Sequence, residues 1–507
     1  MEHTEQKQTP RKEYKGLVSD IMVYGASSII GRFINYLLVP LYVAVMPAQS
    51  GSYGVVTNMY AIIALLLVIL TYGMETGFFY FANKRKEQAE RVFSTILIAL
   101  GVSSLLFITI TQLKLHDIAH WFGYDEHPNH LGVMLIVVAL DAFMSILFAN
   151  LRFKGKAIKF AGVRLFFVLI NILLNIFFLV IAPKLQEWVP SIMGWYSFTN
   201  LEGYVFLANL IATVLQILFF IPELRGLKYI FDFKLFREIF AYSFPVLILG
   251  VAGILSQSFD KIIFPKIYPD AKEGTVQLGI YGAATKIAMI MAMCTQAFRY
   301  AYEPFVFKKS KEGKNSNKTY AEVMKFFIIF TVLGFLGVSF YLDVLKYIIK
   351  PDYWAGLDVV PIVMITEIFI GVYFNLAYWY KLIGKTVWGA IFSIIGCGII
   401  IGLNLYYIPI YGYMACAWAG FIGYFIIMVL SYLVGQVKNP IAYDLKRIGL
   451  YVGLAAALYI VGMYIPIENL YLRLIFRTVL LGVYLYVVVK KDLPIHKIPI
   501  LNRLMKK

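Results

Sequence analysis

The chain has 507 residues, of which 60% are hydrophobic and 15% charged, with a mean hydropathy of +0.74 and a formal net charge of +17. Water-soluble globular domains do not carry that balance, so the composition describes a polytopic membrane protein. The three cysteines, Cys294, Cys397 and Cys416, all fall in apolar stretches and point to neither a disulfide framework nor a zinc site.

The first sixteen residues are polar, and the apolar run after them is too long for the core of a signal peptide, so no cleavable leader is expected. That run, residues 17–45, has Arg32 at its middle. A bilayer-spanning helix needs about 20 apolar residues, so the segment is long enough to cross. An arginine at the centre of such a helix costs about 2.5–3.5 kcal/mol on insertion scales, a cost usually tolerated where the side chain faces a polar cavity or an anion. Ser28, Arg32 and Asn35 follow one another at four- and three-residue spacing and share one helical face, and Pro40 can bend the outer end. This cationic stripe is expected to meet an anionic substrate group. A structural ion pair to a neighbouring helix is the competing reading.

Apolar segments of this kind recur about fourteen times, near 17–45, 53–81, 92–112, 131–150, 160–182, 203–222, 238–264, 278–302, 321–346, 357–380, 386–408, 412–434, 447–465 and 469–489. The expected architecture is an all-α polytopic membrane protein with two six-helix lobes around a central cavity and two further helices. The N-lobe occupies 17–222, an inter-lobe linker 223–237, the C-lobe 238–434 and the added pair 435–489, with tails at 1–16 and 490–507. Most of the 46 lysines and arginines fall on one set of connections, whereas the opposite loops hold Lys114, Lys184, Lys266, Lys272, Lys346 and Lys350. By the positive-inside rule both termini are cytoplasmic. The net charge is then explained by basic loops facing an anionic leaflet, with no nucleic-acid partner.

The two longest outer connections, 113–130 and 183–202, are rich in Trp, Tyr, His and Asn and read as interfacial anchors, with direct sugar contact as the alternative. His116, His120, His127 and His130 cluster in the first of them and read as loop residues rather than a catalytic set. Tyr53-Gly54-Val55-Val56-Thr57-Asn58 and Tyr281-Gly282-Ala283-Ala284-Thr285-Lys286 lie 228 residues apart, each after a helix with a late proline, Pro40 or Pro265. Such a parallel repeat fits two lobes with a transport cavity between them.

Few charges lie at depth. Thr285, Gln296 and Arg299 give the eighth helix a polar face, and Lys286, Gln296 and Arg299, with Lys261 in the seventh, join Arg32, Ser28 and Asn35 as candidate pyrophosphate or cavity groups. Arg299 can instead pair with Glu303 four residues on. Asp141, Glu367 and Asp260 are candidates for proton or cation coupling, or for neutralising those cations; Asp260 and Lys261 can also form a solvated neighbour pair near the interface. Glu75 and Glu303 fall about 33 Å from their helix starts at 1.5 Å per residue, which suits a cytoplasmic gate or anchor. Arg473 and Arg477 in the last helix are expected to snorkel to the interface or meet a lipid head group.

The stretches SSIIGRFINYLLVPLY (27–42), SYGVV (52–56), FPVLILGVAGILSQSFDKIIFPKI (244–267), GIYGAATKIAMIMAMCTQAFRYAYEPFVF (279–307) and NLYYIPIYGYMACAWAGFIGY (404–424), in this order and spacing, resemble the Wzx-type polysaccharide flippases of the multidrug/oligosaccharidyl-lipid/polysaccharide (MOP) exporter superfamily. The resemblance covers most of the chain, helices 1 to 12 best. It implies inward–outward alternation that moves an undecaprenyl-pyrophosphate-linked oligosaccharide to the outer leaflet of the bacterial plasma (inner) membrane, for surface polysaccharides such as the O-antigen of lipopolysaccharide. The family's cationic cavity carries over onto Arg32, and less directly onto Lys286 and Arg299. No cofactor is expected, and a proton or sodium gradient is left open as the driving force. The expected partners are the lipid-linked oligosaccharide and membrane lipids, with polysaccharide polymerase and chain-length proteins as further candidates; the protein is expected to be a monomer. The reading is a transporter and not an enzyme. Its alternatives are a lipid II flippase, a cation-coupled multidrug exporter and, in another class, a membrane polysaccharide polymerase or ligase. The last commonly displays its chemistry on a larger outer loop than any here.

Overall fold

The computed structural model describes residues 36, 38–191, 194, 196–310, 316–382 and 384–492, with backbone alone for 300–310, 316 and 382. Every regular element among them is helical, and 13 helices are long and apolar enough to cross a membrane. In hydrocarbon a peptide group finds no water, so apolar runs of this length fold into helices that satisfy their own amides. The chain is an all-α, multi-pass membrane protein. Its contacts divide it into two compact units, Met1–Gly279 and Ile280–Lys507.

The first unit contains α1 (Leu38–Val45), α2 (Ser52–Thr71), α3 (Met74–Lys84), α4 (Ala89–Leu113), α5 (Leu115–Phe122), α6 (Pro128–Phe153), α7 (Ala157–Ile176), α8 (Leu201–Leu218), α9 (Ile221–Arg225), α10 (Phe233–Ile267) and the start of α11 (Ala271–Ser310). The expected span 53–81 is two helices, because Tyr72 and Gly73 take φ values of 32° and 72° between α2 and α3. Glycine reaches that region without strain. No side chain would fit there, since a Cβ on Gly73 would lie 2.6 Å from the Ser243 carbonyl oxygen of α10. Near the start of α2 the chain crosses α11 almost backbone to backbone: a Cβ on Gly54 would lie 1.8 Å from the Thr275 carbonyl oxygen. Small residues permit such crossings where lipid gives helices no hydrophobic push together.

The core of this unit gathers where α3, α4 and α6 meet, with Phe78 edge-on to Phe93 and Phe153. At the end bearing the basic loops, Arg85–Glu238 (2.6 Å) and Arg91–Asp232 (2.8 Å) tie α3 and α4 to α10 and its N-cap. There Glu223 receives Lys159 at 2.6 Å and Lys156 at 3.4 Å, joining α9 to α7 and to the turn before it. By contacts α10 packs on α2, α3 and α4, and the boundary between units falls inside α11. Most expected segments recur with ends shifted by a few residues, such as 92–112 as Ala89–Leu113 and 447–465 as Leu445–Tyr464. A larger shift is at α11, expected from 278 and observed from Ala271. Lys286 therefore lies about 22 Å along its helix at 1.5 Å per residue.

The second unit contains the rest of α11, then α12 (Ser316–Phe340), α13 (Val359–Leu376), α14 (Val387–Tyr411), α15 (Tyr413–Lys438), α16 (Leu445–Tyr464) and α17 (Leu470–Lys491). Its aromatic core holds Trp379, Tyr380 and Phe392 against Tyr424 and Ile427, and the Trp379 indole donates to the Ser431 carbonyl at 3.1 Å. A buried indole needs such an acceptor. Here α16 and α17 pack on α12. Arg477 does not snorkel outward. It is buried and donates to the Phe340 carbonyl (3.0 Å), the Gly462 carbonyl (2.9 Å) and Asp343 (2.8 Å), and Arg473 lies 3.0 Å from the same carboxylate.

At the far end of α17, Asp492 accepts from Lys325 at 2.6 Å and also from Tyr451 and Arg447. Burial raises its pKa, but these three donors lower it further, so the carboxyl sits below the ordinary carboxylate range. A depressed folded-state pKa contributes stability above the unfolded value, lost as pH falls through the folded one. Wild type is therefore expected to unfold at higher temperature than Asp492→Asn at neutral pH. The gap closes in acid, as thermal unfolding in detergent from about pH 7 to about pH 3 would show.

Candidate functional site

Ser28, Arg32 and Asn35 lie outside the described residues. Asp141 lies midway along α6, half-buried. Arg164, from the second turn of α7, is the cation whose charge reaches Asp141, and the Tyr60 hydroxyl of α2 feels the same carboxylate. That hydroxyl accepts from the Asn209 amide at 3.0 Å, the Asn209 carbonyl accepts from Thr213 at 3.4 Å, and Gln216 donates to the Val163 carbonyl at 3.2 Å. The Arg164 guanidinium also lies over Phe160 (5.5 Å) and Phe148 (5.8 Å). Four helices thus build a polar seam into an apolar body, where a charge persists only with partners. Of this seam the sequence points to Asp141 alone; it misses Arg164, Tyr60 and Asn209. The signal for Arg164 was its place inside the expected 160–182 span.

Glu75 stands in the first turn of α3, where the helix dipole favours an anion, and accepts from Arg152 at 2.5 Å. The Arg152 guanidinium lies 5.2 Å from the Phe79 ring. Asp260 and Lys261, adjacent on α10, pair with each other: the Lys261 ammonium lies 3.1 and 3.2 Å from the two carboxylate oxygens and 3.1 Å from the Gln257 carbonyl. Asp260 is only 7% exposed, while the Lys261 side chain is 24% exposed, so the carboxylate is the buried member of the pair.

In the second unit, Arg299 lines a small cleft together with Thr295, Phe298, Phe374, Asn375 and Tyr378. The guanidinium lies 5.1 Å from the Phe374 ring. The Thr295 hydroxyl is buried and has no hydrogen-bond partner among the described residues, and the Asn375 amide donates to the Gly371 carbonyl at 3.0 Å. A guanidinium and a hydroxyl among aromatic faces are donor types that a phosphate oxygen or a sugar hydroxyl recognises. Of this set only Arg299 was anticipated. Lys286, Gln296 and Glu367 are half-buried and do not line the cleft, and the Glu303 side chain lies outside the described residues.

The histidines divide into separate contacts. His120 meets Asp125 at 2.8 Å, while His127 stacks on His130, which meets Asn200 at 2.6 Å. Among the described residues no group of three His, Cys, Asp or Glu side chains could hold a metal.

No curated protein matches this sequence. Among solved structures, the chain is similar to the lipid II flippase MurJ in an inward closed conformation, with a TM-score of 0.72 at 14% identity, covering 92% of this chain and 99% of that one. It is also similar to the MATE multidrug transporter DinF-BH (TM-score 0.56, 18% identity, 87% of this chain and 99% of that one). An inward-facing multidrug resistance MATE family transporter of the MOP superfamily matches with a TM-score of 0.55 at 16% identity, over 80% of this chain and 94% of that one. These likenesses carry the fold. Residues 17–299, more than half of the chain, match the model of the family described as polysaccharide biosynthesis protein. The chain belongs to that family, on the fold shared by MurJ and the MATE transporters of the MOP superfamily.

Proposed function

We propose that the protein is a flippase that carries a polyprenyl-pyrophosphate-linked oligosaccharide from the cytoplasmic to the outer leaflet of the plasma membrane by alternating access, for surface polysaccharide synthesis. The observation that carries the reading is the family match over 17–299, a stretch that includes both Arg32 and Arg299. A pyrophosphate must cross about 30 Å of hydrocarbon. Guanidinium groups fixed in a polar cavity offset its desolvation with bidentate donors, while the polyprenyl tail stays in lipid. No covalent chemistry is required. Both termini face the cytoplasm in this reading, and the Asp141–Arg164 seam and the Asp260–Lys261 pair are the candidates for coupling to a proton or sodium gradient.

The test is translocation of a fluorescent short-chain polyprenyl-pyrophosphate oligosaccharide in proteoliposomes, with and without imposed ion gradients. Protein-dependent loss of quenchable label is expected. Efflux of a cationic drug with no movement of any lipid-linked glycan would sink the proposal. A second reading, a lipid II flippase, is favoured by the likeness to MurJ along nearly its whole length. Lipid II moved in preference to a lipid-linked oligosaccharide would select it.

A further inference from the structure

Pro265 lies inside α10 and has no N–H, so the carbonyl of Lys261, four residues earlier, loses its helical partner. The Asn58 amide of α2 takes that place. It donates to the Lys261 carbonyl at 2.6 Å and to the Ile262 carbonyl at 3.0 Å. Its own carbonyl oxygen accepts from the Tyr124 hydroxyl at 2.7 Å, so the amide is oriented as well as placed. Asn58 is 4% exposed, and burial pushes the Tyr124 pKa up, which keeps that hydroxyl a donor. Tyr124 follows α5, which is pinned in turn to α10. There Lys266 donates to the Trp121 carbonyl and lies over the Trp121 ring at 3.9 Å and the Phe122 ring at 5.3 Å.

The carbonyl so held belongs to the residue whose ammonium pairs with Asp260. We infer that Asn58 and Tyr124 are positioning residues for the Asp260–Lys261 pair: the Asn58 amide supplies the hydrogen bond that Pro265 cannot, and Tyr124 fixes the amide. The transport half of this inference rests on reading that pair as part of the translocation path. Leucine at position 58 keeps the volume and removes both donors. Leucine thus removes the donor that stands in for the missing proline N–H, and α10 loosens at its proline.

The test uses the full chain in proteoliposomes with two readouts, hydrogen exchange of residues 258–267 and the translocation rate. Asn58→Leu is expected to speed exchange about tenfold and to slow translocation, with Tyr124→Phe changing both in the same direction by less. Adding Pro265→Ala to Asn58→Leu is expected to restore both, because the alanine brings its own N–H to the Lys261 carbonyl. Unchanged exchange in Asn58→Leu, or no recovery with Pro265→Ala, overturns the inference. Exchange that loosens and recovers while translocation never changes overturns the positioning role and leaves a structural brace. A wild type that moves no lipid-linked substrate sinks the flippase reading instead, while exchange still judges the hydrogen bond. Should Asn58→Leu fail to fold, Tyr124→Phe with and without Pro265→Ala gives the same comparison.

Discussion

Arg477→Ala is expected to be the most destabilising single change in the second unit, by about 3–5 kcal/mol, seen as a fall of roughly 5–10 °C in the apparent Tm in detergent. The guanidinium serves three acceptors at once. Two are carbonyls at helix C-termini, Phe340 at the end of α12 and Gly462 in the last turn of α16, and the third is Asp343. Terminal carbonyls have no intrahelical donor, so a cation there satisfies orphan acceptors and opposes the negative end of the dipole. Alanine removes all of these donors from a side chain that is only 7% exposed. Lysine keeps the charge but loses the fork, and so is expected to fall between the two. The control is Arg473→Ala. Its side chain is 28% exposed and shares the same carboxylate, so its loss is expected to cost about 1 kcal/mol or less. Equal and small effects of the two alanines would mean that Arg477 contributes only a surface-grade ion pair.

How this arginine turned inward bears on what the sequence could disclose. Segment positions were legible because each crossing needs about 20 apolar residues, and nothing else in a chain produces that signal. The family was legible through ordered stretches such as 244–267 and 279–307. Side-chain partners were not, because an intramembrane arginine reads alike whether it snorkels to the interface or caps a neighbouring helix. The break at Tyr72–Gly73 was hidden inside one apolar run, since glycine there is needed for a close approach by Ser243, a residue 170 positions away. The early start of α11 was hidden for the opposite reason: Ala271–Gln277 is polar enough to read as loop, yet Asp270 accepts from the amides of Lys272 and Glu273 and starts the helix. Asn58 is the intermediate case. A proline inside a span demands a substitute donor, and an asparagine inside another span is a suitable one. Only the fold says that the two meet.

Arg32→Ala is expected to lower the rate of lipid-linked oligosaccharide translocation by about 10–100-fold while leaving the unfolding temperature unchanged or raised. The direction of the second effect separates the two readings of this residue. A charge at the centre of a helix costs about 2.5–3.5 kcal/mol to insert, so removing one that is kept for a substrate anion relieves the resting protein of that cost. Removing one that is kept for a structural partner leaves the partner's charge unpaired, and stability falls with activity. In the proposed flippase reading, the rate effect follows from losing charge-assisted hydrogen bonds to pyrophosphate, each worth about 1.5–3 kcal/mol, where 1.4 kcal/mol is a factor of ten. Lysine in its place keeps the charge without the bidentate fork and is expected to recover part of the rate. Arg299→Ala, measured beside it, removes a guanidinium that already has the Phe374 ring at 5.1 Å, and its rate loss is expected to come with a measurable drop in stability. If Arg32→Ala is destabilised as much as Arg299→Ala, the central arginine of the first span is a strut, and the proposed pyrophosphate contact belongs to other residues.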